Sequence, residues 1–181
     1  MKKKGLELSI NFIIVLVLAV VTLFMGIIIF NLVFRAGIEL EQEVSQSTKD
    51  QINRLLMAGD ENVIMPEFFR EMSVGEQKAF GLGIRNYGGT EKFTINIIFD
   101  LAVDSNNIDR TSQVIAGGGV GEWYFEKIDA TVAANELEVI SVPIRVRSNA
   151  KNDWVYVFNV EVRDSSNELY GSLQKIYVRV R

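Results

Sequence analysis

The chain contains no cysteine and no histidine. Disulfide staples, thiolate nucleophiles and the usual zinc ligands are thereby excluded. An imidazole acid–base group and any histidine-dependent triad are excluded with them. What remains for catalysis is carboxylate chemistry or a serine–lysine pair, and Ser141 and Ser148 stand in no recognisable lysine pattern, so they read as surface hydroxyls. No enzyme activity and no cofactor are expected. Lysine and arginine are scattered through a chain of net charge −4, which lacks the concentrated basic surface that nucleic acid requires. Proline occurs only at Pro66 and Pro143. Charge is absent from the whole of Leu8 to Phe34.

That uncharged run follows Met1-Lys2-Lys3-Lys4-Gly5 and precedes an acidic chain. About 20 apolar residues in a helix span a hydrocarbon core of about 30 Å, so the run is long enough to cross a bilayer. A secretory signal has a shorter apolar region and a small-residue cleavage site, whereas Ala19 is followed by more apolar sequence. Lysines before the run, against Arg35 with Glu39, Glu41 and Glu43 after it, leave the first residues cytoplasmic and the remainder outside the cell.

Past the run, Ile38, Leu40, Val44, Ile52, Leu55 and Leu56 recur at helical spacing, which predicts an amphipathic stalk helix over 35–59. Gly37 weakens it, and Gly59 is placed as a left-handed C-terminal cap. The stalk either lies on its own domain or packs against copies of itself. From residue 62 the period becomes two. Phe80, Leu82 and Ile84 alternate, Asn86-Tyr87-Gly88-Gly89 supplies a turn, and Phe93, Ile95, Ile97 and Phe99 alternate again, which predicts a β-hairpin. Further strands are expected over 136–147, 154–163 and 170–180, with a bend between Leu173 and Ile176, and a further strand is expected over 122–128. Val63–Met65 reads as an edge strand ended by Pro66, and Pro143 belongs at an edge or a change of sheet. Residues 100–121 read as connection, with a short strand or helical turn over 111–116.

Asp100, Asp104 and Asp109 lack the spacing of a calcium loop and read as solvated loop residues. Gly117-Gly118-Gly119-Val120-Gly121 lacks the ending of a phosphate loop and reads as a mobile loop available to a subunit contact. Trp123, Tyr124 and Phe125, with Trp154, Tyr156 and Phe158, are the main aromatic groups, and core packing is expected for them. A sugar platform would need an aromatic row left exposed. Arg145, Arg147, Arg163, Arg179 and Arg181 suit a solvated cross-strand ladder balanced by Glu161 and Asp164.

The N-terminus resembles the class III signal peptides of archaeal type IV pilin-like proteins, a superfamily that includes pilins, archaellins and archaellum stator proteins. The resemblance implies cutting by a prepilin peptidase-like enzyme after Lys3-Lys4-Gly5, leaving Leu6 as the new N-terminus. It covers about the first fifth of the chain. Where the family usually carries glutamate at the fifth mature position, this chain has Ile10, with Glu7 earlier and Asn11 next. Glu7 either serves assembly from another register or marks the interfacial start of the helix. Asn11 and Asn31 flank the apolar centre, Phe12 to Phe30 suits a filament core, and Gly26 permits close approach without forming a packing motif.

The expected architecture is a leader over 1–5 and a transmembrane or filament-core α-helix over 6–34. The stalk over 35–59 and an all-β, immunoglobulin-like sandwich over 62–181 follow. The expected function is a structural subunit of an archaeal type IV pilus-like surface filament, assembled through the N-terminal helix at the cell membrane and surface. Its implied partners are the lipid bilayer, the processing enzyme, copies of itself or other pilin-like subunits, and S-layer or envelope proteins. The alternative is a single-pass anchored envelope-binding or stator-like protein.

Overall fold

The computed structural model describes Phe12, 14–26, Ile28 and 44–181, apart from Gly118 and Glu122. The chain divides into two units, 1–40 and 41–181. In the first, the described residues are helical, and their large apolar side chains are exposed, from 44% at Val20 to 65% at Ile28.

The second unit opens with α1 (Gln46–Ala58) and continues through β1 (Val63–Ile64), β2 (Phe69–Met72), β3 (Gln77–Arg85) and β4 (Glu91–Val103). Then come α2 (Thr111–Ala116), β5 (Lys127–Val132), β6 (Leu137–Arg145), β7 (Val155–Arg163) and β8 (Gln174–Val180). A three-stranded sheet in the order β1-β3-β6 faces a five-stranded sheet in the order β2-β8-β7-β4-β5. Phe80, Leu82 and Ile84 of β3 and Val142 and Ile144 of β6 meet Phe93, Ile95, Phe158, Val160 and Val178 of the larger sheet in one buried core. Alternation along each strand aims one side of each sheet into that core.

Four sequence expectations are corrected here. The predicted hairpin does not form, because β3 pairs with β1 and β6 while β4 pairs with β5 and β7. The apolar rows of β3 and β4 face each other across the core, and the connection between them crosses from sheet to sheet. Asn86 ties that crossing down: it is 1% exposed, its Nδ2 donates to the Gly89, Val132 and Ala133 carbonyls, and its Oδ1 accepts from Gly88 N.

The long helix running through a stalk is the second correction. Val44 and Ser45 are not helical, and Ser45 Oγ caps α1 by accepting from Thr48 N at 3.3 Å, so the 13-residue α1 begins only there. Among the described residues no helix is long and apolar enough to cross a membrane. The part of the predicted stalk over 35–43 lies outside the described residues. Gly59 also departs from expectation: it is extended, with φ −106° and ψ 170°, rather than a left-handed cap.

Third, the domain is mostly β but not all-β in the immunoglobulin sense. Helix α1 lies on the outer face of the three-stranded sheet, burying Thr48, Ile52 and Leu56. The row of β3 that points out of the core, Ala79, Gly81 and Gly83, is small, and this lets the helix approach. Arg85 Nη1 donates to Leu56 O at 2.8 Å, satisfying one of the free carbonyls at the helix end. β2, which carries only a short pattern and was not expected, adds to β8 in parallel.

Fourth, the irregularity expected near Leu173 lies instead in β4. A register shift between Phe99 and Leu101 moves the inward-facing set from the odd positions Phe93, Ile95 and Ile97 to Ala102.

Pro143 lies on β6, an edge strand, as its chemistry requires. Arg145 N donates outward to Trp123 O at 2.6 Å, so by alternation the position of Pro143 on the strand also faces away from β3, and the ladder loses no donor. β1 is likewise an edge strand, followed by Pro66.

Candidate functional site

The candidate site is a cleft of about 220 Å³ at one end of the sandwich. Its walls come from α2, the glycine-rich loop after it, the turn between β6 and β7, and the first residues of β7.

Each wall has a local cause. α2 ends where Gly117 N donates to Gln113 O and Gly119, at φ 66°, folds back to donate to Val114 O. This return carries Val120 and Trp123 inward, to 4% and 2% exposure, and the Trp123 carbonyl then seals onto β6 through Arg145 N. Opposite, Ala150 N donates to Arg147 O in the β6–β7 turn, and Lys151 N donates to the Tyr156 hydroxyl at 3.0 Å. Tyr156 packs against Trp123 with ring centroids 4.4 Å apart, and Trp154 is 6.3 Å from Tyr156. The cleft thus has a buried aromatic floor and a half-exposed tryptophan at its side, with Gln113, Asn149 and Lys151 as polar lining.

Burial holds the Tyr156 hydroxyl above its ordinary pKa, only partly offset by the bond from Lys151, so it stays protonated at neutral pH. Trp123 Nε1 is buried without a hydrogen-bond partner. Both groups are donors. The arrangement is chemically suited to holding an oxygen-bearing ligand against aromatic surface; Lys151 is the one charged side chain among the described lining residues.

Sequence reasoning expected Trp123, Trp154, Tyr156 and Phe158 as core and the glycine loop as a separate connection. The structure brings the loop and three of these aromatics together in one cleft, while Phe158 lies wholly in the core. The spacing of Gly117–Gly121 just before Trp123 was the available signal; only the return of the chain from β7 made it a wall.

The aspartates of the 100–109 loop have structural partners. Asp100 pairs with Lys175 at 2.9 Å, and Asp109 accepts from Thr111 N. Asp104 accepts from Asn106 N, Ile108 N, and Nε and Nη2 of Arg110. The bond from the Ile108 backbone, followed by Arg110 and Asn106, holds the Asp104 carboxyl below the ordinary aspartate range against the opposing effect of burial. A depressed carboxylate pKa gives stability that is complete above the unfolded-state value and lost as pH falls through the folded value. Asp104→Asn therefore removes stability at neutral pH and flattens the acid side of the stability profile. Urea unfolding at a series of pH values checks this, and an unchanged acid limb would count against it.

The predicted arginine ladder is split. Arg163 pairs with Glu161, but Arg179 and Arg181 reach Glu71 of the unexpected β2, and Asp164 caps its own turn through Ser166 N and Glu168 N.

Of the residues predicted for processing and assembly, Lys3, Lys4, Gly5, Leu6, Glu7, Asn11 and Phe30 lie outside the described residues. Phe12 is helical and 54% exposed, and a Cβ built on Gly26 meets nothing within 4 Å.

No family model matches the chain, and no curated protein sequence matches it. Among solved structures it is similar to the ASH/PapD-like domain 7 of human CEP192, at a TM-score of 0.43 and 11% identity over 66% of this chain and 85% of that one. It is also similar to the periplasmic chaperone SfaE, at a TM-score of 0.36 and 10% identity over 66% of this chain and 57% of that one. Spo0M, a sporulation control protein from Bacillus subtilis, is similar at a TM-score of 0.35 and 6% identity over 66% of this chain and 48% of that one. Among the described residues no helix is long and apolar enough to cross a membrane. The expected description as a protein with a transmembrane helix is corrected accordingly, while the β-sandwich stands.

Proposed function

We propose that the chain is a non-enzymatic structural subunit of a type IV pilus-like surface filament, assembled through its apolar N-terminal segment and displaying the β-sandwich outside the cell. The observation that carries this reading is the apolar surface of the first unit. Phe12, Val15, Leu23, Phe24 and Ile28 are each more than half exposed, within a run that carries no charge from Leu8 to Phe34. Apolar surface of that extent requires cover, and copies of the same segment packed together in a filament supply it. Lys3-Lys4-Gly5 ahead of it supports removal of a short leader by a processing enzyme before assembly.

Intact mass and N-terminal sequencing of the protein from native membranes and from sheared surface filaments test the reading. Leu6 as first residue in the filament fraction is the expected result. Retention of Met1 to Gly5 in the mature protein, or absence of the protein from filaments, would overturn it. The second reading is an envelope-binding or stator-like protein, favoured by the aromatic cleft in the sandwich. Under that reading the processed chain stays in the membrane fraction and co-purifies with envelope components.

A further inference from the structure

We propose that the cleft between α2 and the β6–β7 turn binds a single neutral sugar ring. The first ground is the indole of Trp123. Its Nε1–H is buried without a partner, and Trp123, 2% exposed, is one of the residues that line the cleft. A buried donor left unpaired costs about 1–3 kcal/mol, and native proteins retain few of them. An acceptor oxygen delivered by a ligand relieves that cost. The Tyr156 hydroxyl already accepts from Lys151 N, so its own proton is left to donate.

The remaining polar groups set the class of ligand. Gln113 and Asn149 carry side-chain amides, each offering both a donor and an acceptor. Hydroxyl groups also donate and accept, so a polyol ring uses both halves of such an amide, whereas a carboxylate uses only the donors. Lys151 is the single cation among the described lining residues, too little positive charge to select a strongly anionic ligand. Half-buried Trp154, its ring centroid 6.3 Å from that of Tyr156, offers an aromatic face to the C–H surface of a ring. A cleft of about 220 Å³ has room for one ring.

Both tryptophans of the chain line this cleft, so the two indole N–H signals in a nitrogen–proton spectrum report on it directly. The test is a titration of the full chain, held in a detergent without a sugar head group, with glucose, galactose, mannose and N-acetylglucosamine, and with sodium acetate as the carboxylate control. At least one neutral sugar is expected to move the Trp123 indole signal saturably at millimolar concentration. Trp154→Ala and Asn149→Ala are each expected to weaken that affinity by roughly tenfold. The amide signals of β3 and β5, which are remote from both positions in the pairing order, should hold their positions in both variants, which separates lost binding from lost folding. No movement with any of the sugars overturns the proposal, as does an equal response to acetate or a response that survives both variants. The outcome does not depend on polymerisation, so it stands or falls apart from the filament reading.

Discussion

Phe158→Ala lowers the unfolding free energy by about 3–5 kcal/mol, the range for deleting a buried ring and leaving a cavity. The expectation rests on the position of Phe158, wholly buried on the central strand of the five-stranded sheet, opposite Phe99 on β4 and Ile176 on β8. Three rings close around it, with centroid distances of 5.2 Å to Tyr124, 5.9 Å to Phe99 and 6.2 Å to Trp123. Neighbours on both sides are held by strand pairing or by the seal of Trp123 onto β6, so the site has little freedom to collapse. Urea unfolding followed by tryptophan fluorescence should show a lower midpoint at unchanged slope. Phe158→Leu, which keeps most of the volume, should lose much less. A loss under about 1 kcal/mol for the alanine variant would mean that the aromatic cluster relaxes into the gap, contrary to the packing seen.

Gly83→Ala destabilises the domain by about 1–3 kcal/mol, although the change would ordinarily help a strand. Replacing glycine by alanine at a compatible position gains about 0.4–1 kcal/mol by reducing the freedom of the unfolded chain. At Gly83 the steric effect wins. A Cβ there collides with Ile52 and comes within 2.6 Å of Leu56 Cδ1, the two residues by which α1 is buried. Gly81 is confined in the same way, by Val44, Thr48 and Ile52, so the helix cannot slide to make room. Ile52→Ala removes one obstacle, and the double variant should therefore be more stable than the sum of the two single losses by about 1 kcal/mol. Additive losses in that cycle, or a more stable Gly83→Ala, would show that α1 is not seated on the glycine row.

Local pattern was enough for much of the strand content. The alternation of Phe80, Leu82 and Ile84, and that of Phe93, Ile95 and Ile97, correctly marks buried faces, because a strand aims every second side chain to one side whatever it pairs with. Pro143 could be assigned to an edge or a change of sheet from its missing donor alone, and it lies on an edge strand. The cleft was legible only in parts. Trp123 and Trp154 are conspicuous as residues, yet they lie on different segments, and nothing local says that the glycine loop will fold against the β6–β7 turn.

The sequence by itself determined the excluded chemistry, the uncharged N-terminal run with the lysines ahead of it, the β-rich character of the domain and the inward face of most strands. These follow from residue type and period, which are properties of neighbouring positions. Only the tertiary structure decided that β3 and β4 belong to different sheets, that α1 sits on Gly81 and Gly83, and that Trp123 is left with an unpaired donor beside Tyr156. Each of these depends on which distant segments meet. A strand's period specifies the face it buries but not its hydrogen-bonded neighbour, and that choice follows from the shape and volume of the whole core.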